Sequence, residues 1–396
     1  MARLLVNKNA LYGAYTAEEQ AIIPTDAALD VVKTLGLCPK HSPTPLHVLA
    51  ELAQSMGVAD VMLKDESGRF GLGSFKALGA PYALAQALYR RLGDPVLLHK
   101  RVGKSLPDWA LRLTTCCASD GNHGKALAFG AQHFGLDCVV FVHSGVSAAR
   151  QDAIRDLGAR VEVVDGTYDD SVDVAVASAK ANDWLLIADT SGDITDPAPC
   201  DVMQGYTVLI TEAMAQAGWT QTGDPSPWTH VFVQAGVGGL AAAVAAVLTQ
   251  KLGADRPQLI AVEPDKAACV LAAVEAGAPV RLKGGLESLM GMLSCGEISA
   301  AAWPILSRRY DYAMAIDDAA AITAMQRVAN PVGGDPPCVI GESGVASIAG
   351  AMVACGNAEW RDTLLLDKDS RILVIGTEGP TDPEQYRAIM ENKQVY

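Results

Sequence analysis

This sequence has no long uninterrupted apolar run. None of its apolar stretches reaches the ~18 residues with which a helix crosses a bilayer, so a membrane partner is not expected. The first residues, MARLLVNKNALYGAY, also lack the long apolar centre of a secretory signal. These two absences predict a cytoplasmic protein.

Positive charge is also in short supply. The chain has 31 Lys and Arg residues against 45 Asp and Glu residues, which gives a net charge of −14. An acidic surface repels phosphate backbones and anionic lipids, so a nucleic-acid partner is not expected. The excess of acid agrees only weakly with a cationic small substrate, because many cytosolic enzymes are acidic.

Paired metal ligands are missing as well. Cys38, His41 and His47 have a spacing that resembles a metal site, but no second Cys/His pair follows, and zinc is therefore disfavoured. Cys269 and Cys295 flank a loop-like region. The sequence leaves open whether these two form a disulfide.

What the sequence does have is a regular alternation of strand-like apolar runs with helical patterns. It extends from ADVMLKDE (59–66) to RILVIGTEG (371–379). Such alternation is typical of parallel sheets that are covered by helices on both faces, so an α/β fold is predicted. At 396 residues, two such sheets are favoured over one.

Ligands of such folds bind outside the carboxyl ends of the strands, where glycine-rich turns lie. The stretch VFVQAGVGGLAAA predicts a strand, a glycine turn and a helix. Its glycines let backbone N–H groups converge on a phosphate at the helix N-terminus. The residues of this turn are Gly236, Val237, Gly238, Gly239 and Leu240.

The same turn has two other interpretations. Gly236, Gly238 and Ala241 also satisfy the dinucleotide pattern G-x-G-x-x-A, and Glu263 ends the next predicted strand, as the ribose-binding acid does in nicotinamide enzymes. A tight turn without a ligand is the other alternative. The turn thus predicts a phosphate more strongly than a dinucleotide.

A second glycine turn, FGLGSFKALG (70–79), has Lys76 where a third glycine would complete the dinucleotide pattern. A solvated surface lysine is the common case. The neighbours of Lys76 are Phe, Ala, Leu and Gly, however, and a lysine in apolar surroundings loses its proton more easily. A neutral amine condenses with an aldehyde, so Lys76 is a candidate for Schiff-base chemistry.

The third turn, in CCASDGNHGKALAFG, offers backbone N–H groups, an amide and a carboxylate between a strand and a helix. Asx residues in turns are often purely structural, so this turn by itself is ambiguous. Its residues are Ser119, Asp120, Gly121, Asn122 and His123.

Together the three turns resemble the fold-type-II pyridoxal-phosphate enzymes, the group of tryptophan synthase β and threonine dehydratase. Residues 74–76 match the family's Ser-x-Lys, and residues 119–124 match its S-x-G-N-x-G loop. Residues 236–240 match its phosphate loop, and Gly-Glu-Ser-Gly at 341–344 matches the turn before a late helix. The order and the spacing agree across almost the whole chain.

The resemblance implies pyridoxal 5′-phosphate as the cofactor. It implies that Lys76 joins the cofactor aldehyde as a Schiff base with Phe75 beside it, and that Asn122 contacts the ring hydroxyl. Thr377 is the implied partner of the ring nitrogen, and Glu342 belongs to the same cofactor site. A neutral hydroxyl leaves that nitrogen unprotonated more readily than a carboxylate does, which suits elimination better than transamination.

Within this group the sequence is most similar to the diaminopropionate ammonia-lyases. Asp120 stands where dehydratases typically carry Ser or Thr, and GGLESLMGMLSCGEIS and GTEGPTDP also resemble that subfamily. The implied reaction is the α,β-elimination of 2,3-diaminopropionate, a small amino acid, to pyruvate and ammonia through an aminoacrylate intermediate. The resemblance also implies a homodimer.

Proton transfer in this reaction needs acids and bases around the substrate. Lys76, once released from the cofactor, serves one face of Cα, and Asp120 reaches the β-ammonium or the opposite face. Asp189, which ends the strand WLLIAD, is a second acid, with a capping role as its alternative. By the resemblance, two acids let both enantiomers react, one base for each face. The other expected substrate contacts are Ser119, Gly121 and His123.

The predicted organisation is a large cofactor-binding domain of residues 1–85 and 205–396, with a small domain of residues 86–204 inserted in it. Three alternatives stay open. A serine/threonine or hydroxy-amino-acid dehydratase of the same fold does not account for Asp120. A nicotinamide oxidoreductase leaves Lys76 and the Asn122 loop unexplained. A non-catalytic sensor or carrier has no use for the full set of reactive residues.

Overall fold

The computed structural model describes residues 2–93, 113–221 and 223–391, and every structural statement below refers to them. The chain forms two compact units. The first consists of Met1–Thr25, Pro43–Gly68 and Leu209–Tyr396, and the second of Asp26–Ser42 and Arg69–Val208.

The secondary structure alternates as the sequence predicts. The strands are β1 (Arg3–Val6), β2 (Leu46–Val48), β3 (Asp60–Asp65), β4 (Thr114–Ala118), β5 (Asp137–His143), β6 (Arg160–Val164), β7 (Leu185–Leu186), β8 (His230–Gln234), β9 (Gln258–Pro264), β10 (Tyr312–Ile316) and β11 (Arg371–Gly376). The α-helices are Ala17–Ile22, Ala27–Leu35, Ala50–Met56, Lys76–Leu92, Asn122–Phe134, Ala148–Arg155, Tyr168–Asn182, Pro197–Gln216, Gly239–Leu252, Cys269–Ala276, Trp303–Arg309, Asp318–Ala329, Ala346–Gly356, Ala358–Leu364 and Pro383–Met390. None of the described helices combines the length and the apolar character that crossing a membrane requires.

The first unit is built on a seven-stranded sheet in the order β1-β10-β9-β8-β11-β3-β2, counted over the described residues. The five inner strands run parallel, and the edge strands β1 and β2 are antiparallel to their neighbours. Every residue of β8 is buried, so both faces of the sheet are covered there. The helix Gly239–Leu252, which follows β8, is buried from its first residue to Thr249.

The second unit contains a parallel sheet in the order β6-β5-β4-β7, again within the part of the chain that is described. In its register, Ala118 at the end of β4 lies opposite Phe141 of β5. The residues that follow β4 therefore reach the same sheet edge as the last residues of β5. These two mainly parallel sheets confirm the predicted α/β fold.

The boundaries of the units differ from the predicted domain boundaries. Residues 26–42, 69–85 and 205–208 group with the second unit, whereas the prediction put them in the large domain. The predicted boundary at residue 85 falls inside the helix Lys76–Leu92, which is one continuous element. That helix packs on Asn122–Phe134 so closely that a Cβ at Gly130 would lie 3.1 Å from Cα of Pro81.

Candidate active site

The amine of Lys76 lies among aromatic rings and against one carboxylate of the second unit. Its Nζ is 2.6 Å from Oδ2 of Asp189, and 5.4 Å and 5.9 Å from the ring centres of Phe75 and Tyr206. The Lys76 side chain is only 21 % exposed. The alternative of a solvated surface lysine is therefore wrong, and the structure brings Lys76, Phe75 and Asp189 together.

Tyr206 was not predicted from the sequence. Its ring lies 4.7 Å from that of Phe75, and burial raises the pKa of its hydroxyl. It reaches this place because two helices meet at glycines: a Cβ at Gly205 would lie 2.5 Å from the carbonyl oxygen of Leu78, and one at Gly79 would lie 2.5 Å from the Tyr206 ring. A glycine in each of two helical patterns was the available signal.

Asp189 is an ionised acid in a buried place. Burial by itself would raise the pKa of Asp189, but the Lys76 ammonium beside it outweighs burial, so that its pKa is lowered. The imidazole of His123 lies with Nε2 2.7 Å from the carbonyl oxygen of Ile187 and Nδ1 3.9 Å from Asp189 Oδ2. Burial lowers the pKa of His123, so its ring is a neutral support for the segment that carries Asp189.

The second predicted acid, Asp120, has a different partner. Its Oδ1 lies 3.1 Å from Nε2 of His143, which the sequence analysis did not single out. The Asp120 side chain is 33 % exposed and that of His143 is 26 % exposed. The pKa of His143 is raised, chiefly by its hydrogen-bonding interaction with Asp120.

The loop between β4 and the helix Asn122–Phe134 is shaped by a hydroxyl and two glycines. Oγ of Ser119 accepts from the N–H groups of Gly121 and Gly124, at 3.0 Å and 2.8 Å. Gly121 has a φ of 142°, which residues with a side chain rarely adopt. A Cβ at Gly124 would lie 2.5 Å from Val140, so the loop is fitted closely to β5, and Asn122 at its end is buried.

The glycine turn after β8 presents a row of backbone donors. Gly238 has a φ of 92° and precedes the helix Gly239–Leu252 without a side-chain cap. Within the described residues, the N–H groups of the turn have no hydrogen-bond acceptor; they belong to Gly236, Val237, Gly238, Gly239 and Leu240. Uncapped N–H groups at the start of a long helix fit a phosphate.

Thr377 follows β11 and is held by a residue that the sequence analysis missed. Nε2 of the buried Gln234 donates to Thr377 Oγ1 at 2.9 Å, and it also lies within hydrogen-bonding distance of the carbonyl oxygens of Gly344 and Ile375. Because Oγ1 accepts from Gln234, the Thr377 hydroxyl proton is available for another acceptor. Glu342 is fully buried. It lies two residues before Gly344, whose carbonyl oxygen accepts from the Thr377 N–H.

Glu263, the acid that favoured a nicotinamide enzyme, has another role. Its carboxylate accepts from the N–H groups of Val270 and Leu271 at 2.7 Å and 2.8 Å, and it therefore caps the helix Cys269–Ala276. Burial raises the pKa of Glu263 to about 8. Since both of its oxygens are engaged with the helix, Glu263 is not presented to a ribose, and the dinucleotide interpretation loses its acidic residue.

The structure does not join Cys269 and Cys295 in a disulfide. Sγ of Cys269 donates to the carbonyl oxygen of Gly236 at 3.3 Å. Burial raises the pKa of Cys269, so its thiol is protonated and packs as part of the support of the glycine turn.

Comparisons with known proteins agree with this geometry. A family model described as pyridoxal-phosphate dependent enzyme matches residues 37–378. The chain belongs to this family. The match confirms the resemblance drawn from the sequence, and with it the enzyme class and pyridoxal phosphate as the cofactor.

The enzyme is similar over most of its length to diaminopropionate ammonia-lyases. Diaminopropionate ammonia-lyase of Salmonella typhimurium is 35 % identical over 363 residues, which cover 89 % of this chain and 89 % of the relative. The structure of holo diaminopropionate ammonia lyase from Escherichia coli matches with a TM-score of 0.88 at 32 % identity, covering 99 % of this chain and 97 % of that one. The Escherichia coli enzyme in complex with an aminoacrylate-PLP azomethine reaction intermediate matches with a TM-score of 0.87 at 31 % identity and the same coverage.

The residues present fit the family's cofactor. The second unit offers a shielded primary amine at Lys76 for an aldehyde. The first unit offers the uncapped N–H groups of residues 236–240 for a phosphate and the Thr377 hydroxyl for a ring nitrogen. Each of these groups has the chemistry that one part of the cofactor needs.

Proposed function

We propose that this enzyme eliminates ammonia from 2,3-diaminopropionate and that the eliminated product hydrolyses to pyruvate and a second ammonia. The Salmonella typhimurium relative, whose match covers 89 % of the chain, carries this activity in its name. The observation that carries the proposal is the pair of carboxylates in one unit: Asp189 on the Lys76 amine, and Asp120 with its own partner after the adjacent strand β4.

Pyridoxal phosphate, when bound, takes up the substrate α-amine and withdraws electrons from Cα, so that its proton becomes acidic. In the proposed assignment Lys76 binds the cofactor aldehyde, and the turn of residues 236–240 binds its phosphate. Thr377 donates to its ring nitrogen. Phe75, Asn122 and Glu342 complete the proposed cofactor contacts.

The amine of Lys76 and the carboxylate of Asp189 form one proton-transfer pair. At 2.6 Å, Nζ and Oδ2 share a hydrogen bond, and the lowered pKa of Asp189 keeps its carboxylate ionised at neutral pH. An ionised acid beside the lysine can accept a proton from one face of Cα. It also holds the amine in place when the substrate has displaced it.

Asp120 serves the leaving group and the other face. Ammonia leaves only with a protonated nitrogen, because amide ion is a very poor leaving group. A carboxylate that is one-third exposed can pair with the β-ammonium of the substrate, and it favours that cation over the neutral hydroxyl of serine. In this assignment each enantiomer of the substrate uses one of the two acids as its base.

The remaining predicted contacts fall into two roles. We assign Ser119 and Gly121 to the shape of the loop that receives the substrate carboxylate, since Ser119 Oγ caps that loop. We assign His123 to the support of Asp189, because its ring is buried against Ile187. A homodimer and a cytoplasmic location stay predictions.

The experiment is an assay of pyruvate and ammonia with the holoenzyme and four substrates: D- and L-diaminopropionate, L-serine and L-threonine. The proposal expects two ammonia per pyruvate and a kcat/KM for diaminopropionate far above those for serine and threonine. A larger kcat/KM for serine or threonine would instead establish the dehydratase alternative. Absence of pyruvate from every substrate would contradict the proposed function altogether.

A further inference from the structure

The register of the second sheet places a histidine behind Asp120. Ser119 N–H donates to the Phe141 carbonyl at 3.0 Å, which continues the pairing of β4 with β5. Asp120, the residue after Ser119, and His143, two residues after Phe141, meet at the carboxyl edge of the sheet, with Nε2 3.1 Å from Oδ1. The contact is short but imperfectly aligned, and such contacts commonly tighten when a substrate binds.

The imidazole of His143 is held from its other side as well. The N–H of Gly145 donates to Nδ1 at 3.1 Å. A Cβ at Gly145 would lie 2.9 Å from Cε1 of the ring, so the absence of a side chain there makes room for it. Since Nδ1 accepts a hydrogen bond, the neutral ring carries its proton on Nε2, toward Asp120.

The two oxygens of Asp120 are in different surroundings. Oδ1 is buried and lies 3.1 Å from Nε2 of His143, and within the described residues it makes no hydrogen bond of good geometry. Oδ2 is not among the buried unbonded atoms and has no hydrogen bond there, so the solvent-accessible oxygen is Oδ2. One oxygen is thus held by the protein, and the other is open to a small ligand.

We propose that His143 is a positioning residue, which holds the Asp120 carboxylate through Oδ1 so that Oδ2 meets the substrate. This inference rests on the proposed function. Asp189 has separate partners in Lys76 and His123, so His143 governs only the proton transfer that runs through Asp120. His143 keeps its own proton throughout, while Oδ2 takes the proton from the substrate or returns it.

The charged surroundings of His143 are simple. Within the described part of the chain, Asp120 is the charged group that shifts the pKa of His143. The aliphatic part of Arg150, on the next helix, packs against Gly121, where a Cβ would lie 3.3 Å from its Cδ. Below its raised pKa, His143 is an imidazolium that forms an ion pair with Asp120.

The test compares His143→Leu, His143→Gln and the control His133→Leu, an exposed histidine of the same unit, with each enantiomer of diaminopropionate. His143→Leu is expected to lower kcat about 10- to 100-fold for one enantiomer and to leave the other within about twofold. His143→Gln, which retains an N–H donor, is expected to recover most of that loss, and His133→Leu to change neither rate. Equal losses for both enantiomers, or none for either, would overturn the proposal.

A double-mutant cycle separates positioning from folding. In the Asp120→Asn background, His143→Leu is expected to cost no more than about twofold, because its target is already gone. A full loss in that background would show a merely structural role. If the wild-type enzyme releases no pyruvate from diaminopropionate, the proposed function is wrong. If the wild-type enzyme is active and His143→Leu has the same rate, only the role of His143 is wrong.

A spectroscopic readout does not depend on turnover. Nitrogen-15 NMR of labelled histidine is expected to show His143 with its proton on Nε2 and a raised pKa, and Asp120→Asn is expected to lower that pKa. A His143 pKa that is unchanged by Asp120→Asn would contradict the pairing on which the inference depends.

Discussion

Asp120 and Asp189 stand after neighbouring strands of one sheet, yet their surroundings are opposite. Asp189 is 13 % exposed and lies 2.6 Å from the amine of Lys76, whereas Asp120 is 33 % exposed and lies 3.1 Å from the ring of His143, whose pKa is raised. A buried acid on a lysine stays ionised over a wide pH range. The charge of a histidine changes with pH, so the two acids have partners that respond differently to pH.

The largest expected effect comes from removing the amine of Lys76, the partner of Asp189. Lys76→Ala is expected to abolish the visible absorbance band of the bound cofactor and to lower kcat by about 10³-fold or more for both enantiomers. Absorbance spectra and pyruvate release measure the two effects. Lys180→Ala, an exposed lysine of the same unit, is the control, and a Lys76→Ala enzyme with wild-type absorbance would refute the assignment.

Replacing the two acids one at a time tests the role of each separately. Asp120→Asn and Asp189→Asn are each expected to lower kcat about 100-fold for one enantiomer, with the affected enantiomer reversed between them. The amide keeps the shape of each side chain and removes its basicity. Rates measured separately for the D and L substrates show which enantiomer each variant impairs. Two variants that impair the same enantiomer would contradict the assignment of one acid to each face of Cα.

The pH dependence sharpens the same contrast. As pH rises through the raised pKa of His143, the ring loses its positive charge but keeps the Nε2 proton that faces Asp120. The imidazolium then no longer competes with the substrate ammonium for that carboxylate, so the Asp120-dependent rate is expected to rise about tenfold. The lowered pKa of Asp189 lies below that range, so the other enantiomer is expected to show no such rise from its acid. Profiles of kcat between pH 5 and 8 test this prediction. Identical profiles for both enantiomers would contradict the different roles of Asp120 and Asp189.

The smallest expected effect is on stability and concerns the surroundings of Lys76 and Asp189. Gly205→Ala places a Cβ 2.5 Å from the Leu78 carbonyl, so it is expected to cost about 1–3 kcal/mol and to displace Tyr206 from Lys76. Gly192→Ala, which has nothing within 4 Å, is the matched control. Urea unfolding measures the loss, and a variant as stable as the control would argue against the close helix contact.

Much of the fold was predictable, because local patterns of apolar residues indicate the strands and helices of this α/β chain. The turns at Lys76, Asn122 and Gly238 were found because each lies between a strand and a helix and contains glycine. The predicted domain boundary at residue 85 missed the helix Lys76–Leu92 as a continuous body. The sequence of a helix does not show by itself in which of two units the helix packs.

The residues that the sequence analysis missed share one property. Tyr206, Gln234 and His143 are ordinary members of a helix or a strand, and only register or helix packing brings them to their partners. His143 lies 23 positions along the chain from Asp120, and it meets that side chain because β4 and β5 pair in parallel. Glu263 shows the opposite error, since its position suggested a ribose contact and its carboxylate caps a helix.

The central claim is that Lys76 is the residue that binds the cofactor covalently. Borohydride reduction of the yellow holoenzyme, followed by proteolysis and mass spectrometry, tests it directly by fixing the cofactor to whichever amine holds it. The account predicts a pyridoxyl-phosphate adduct on the peptide that contains Lys76. An adduct on another lysine, such as the partly buried Lys125, or no adduct in an enzyme that still releases pyruvate, would contradict it.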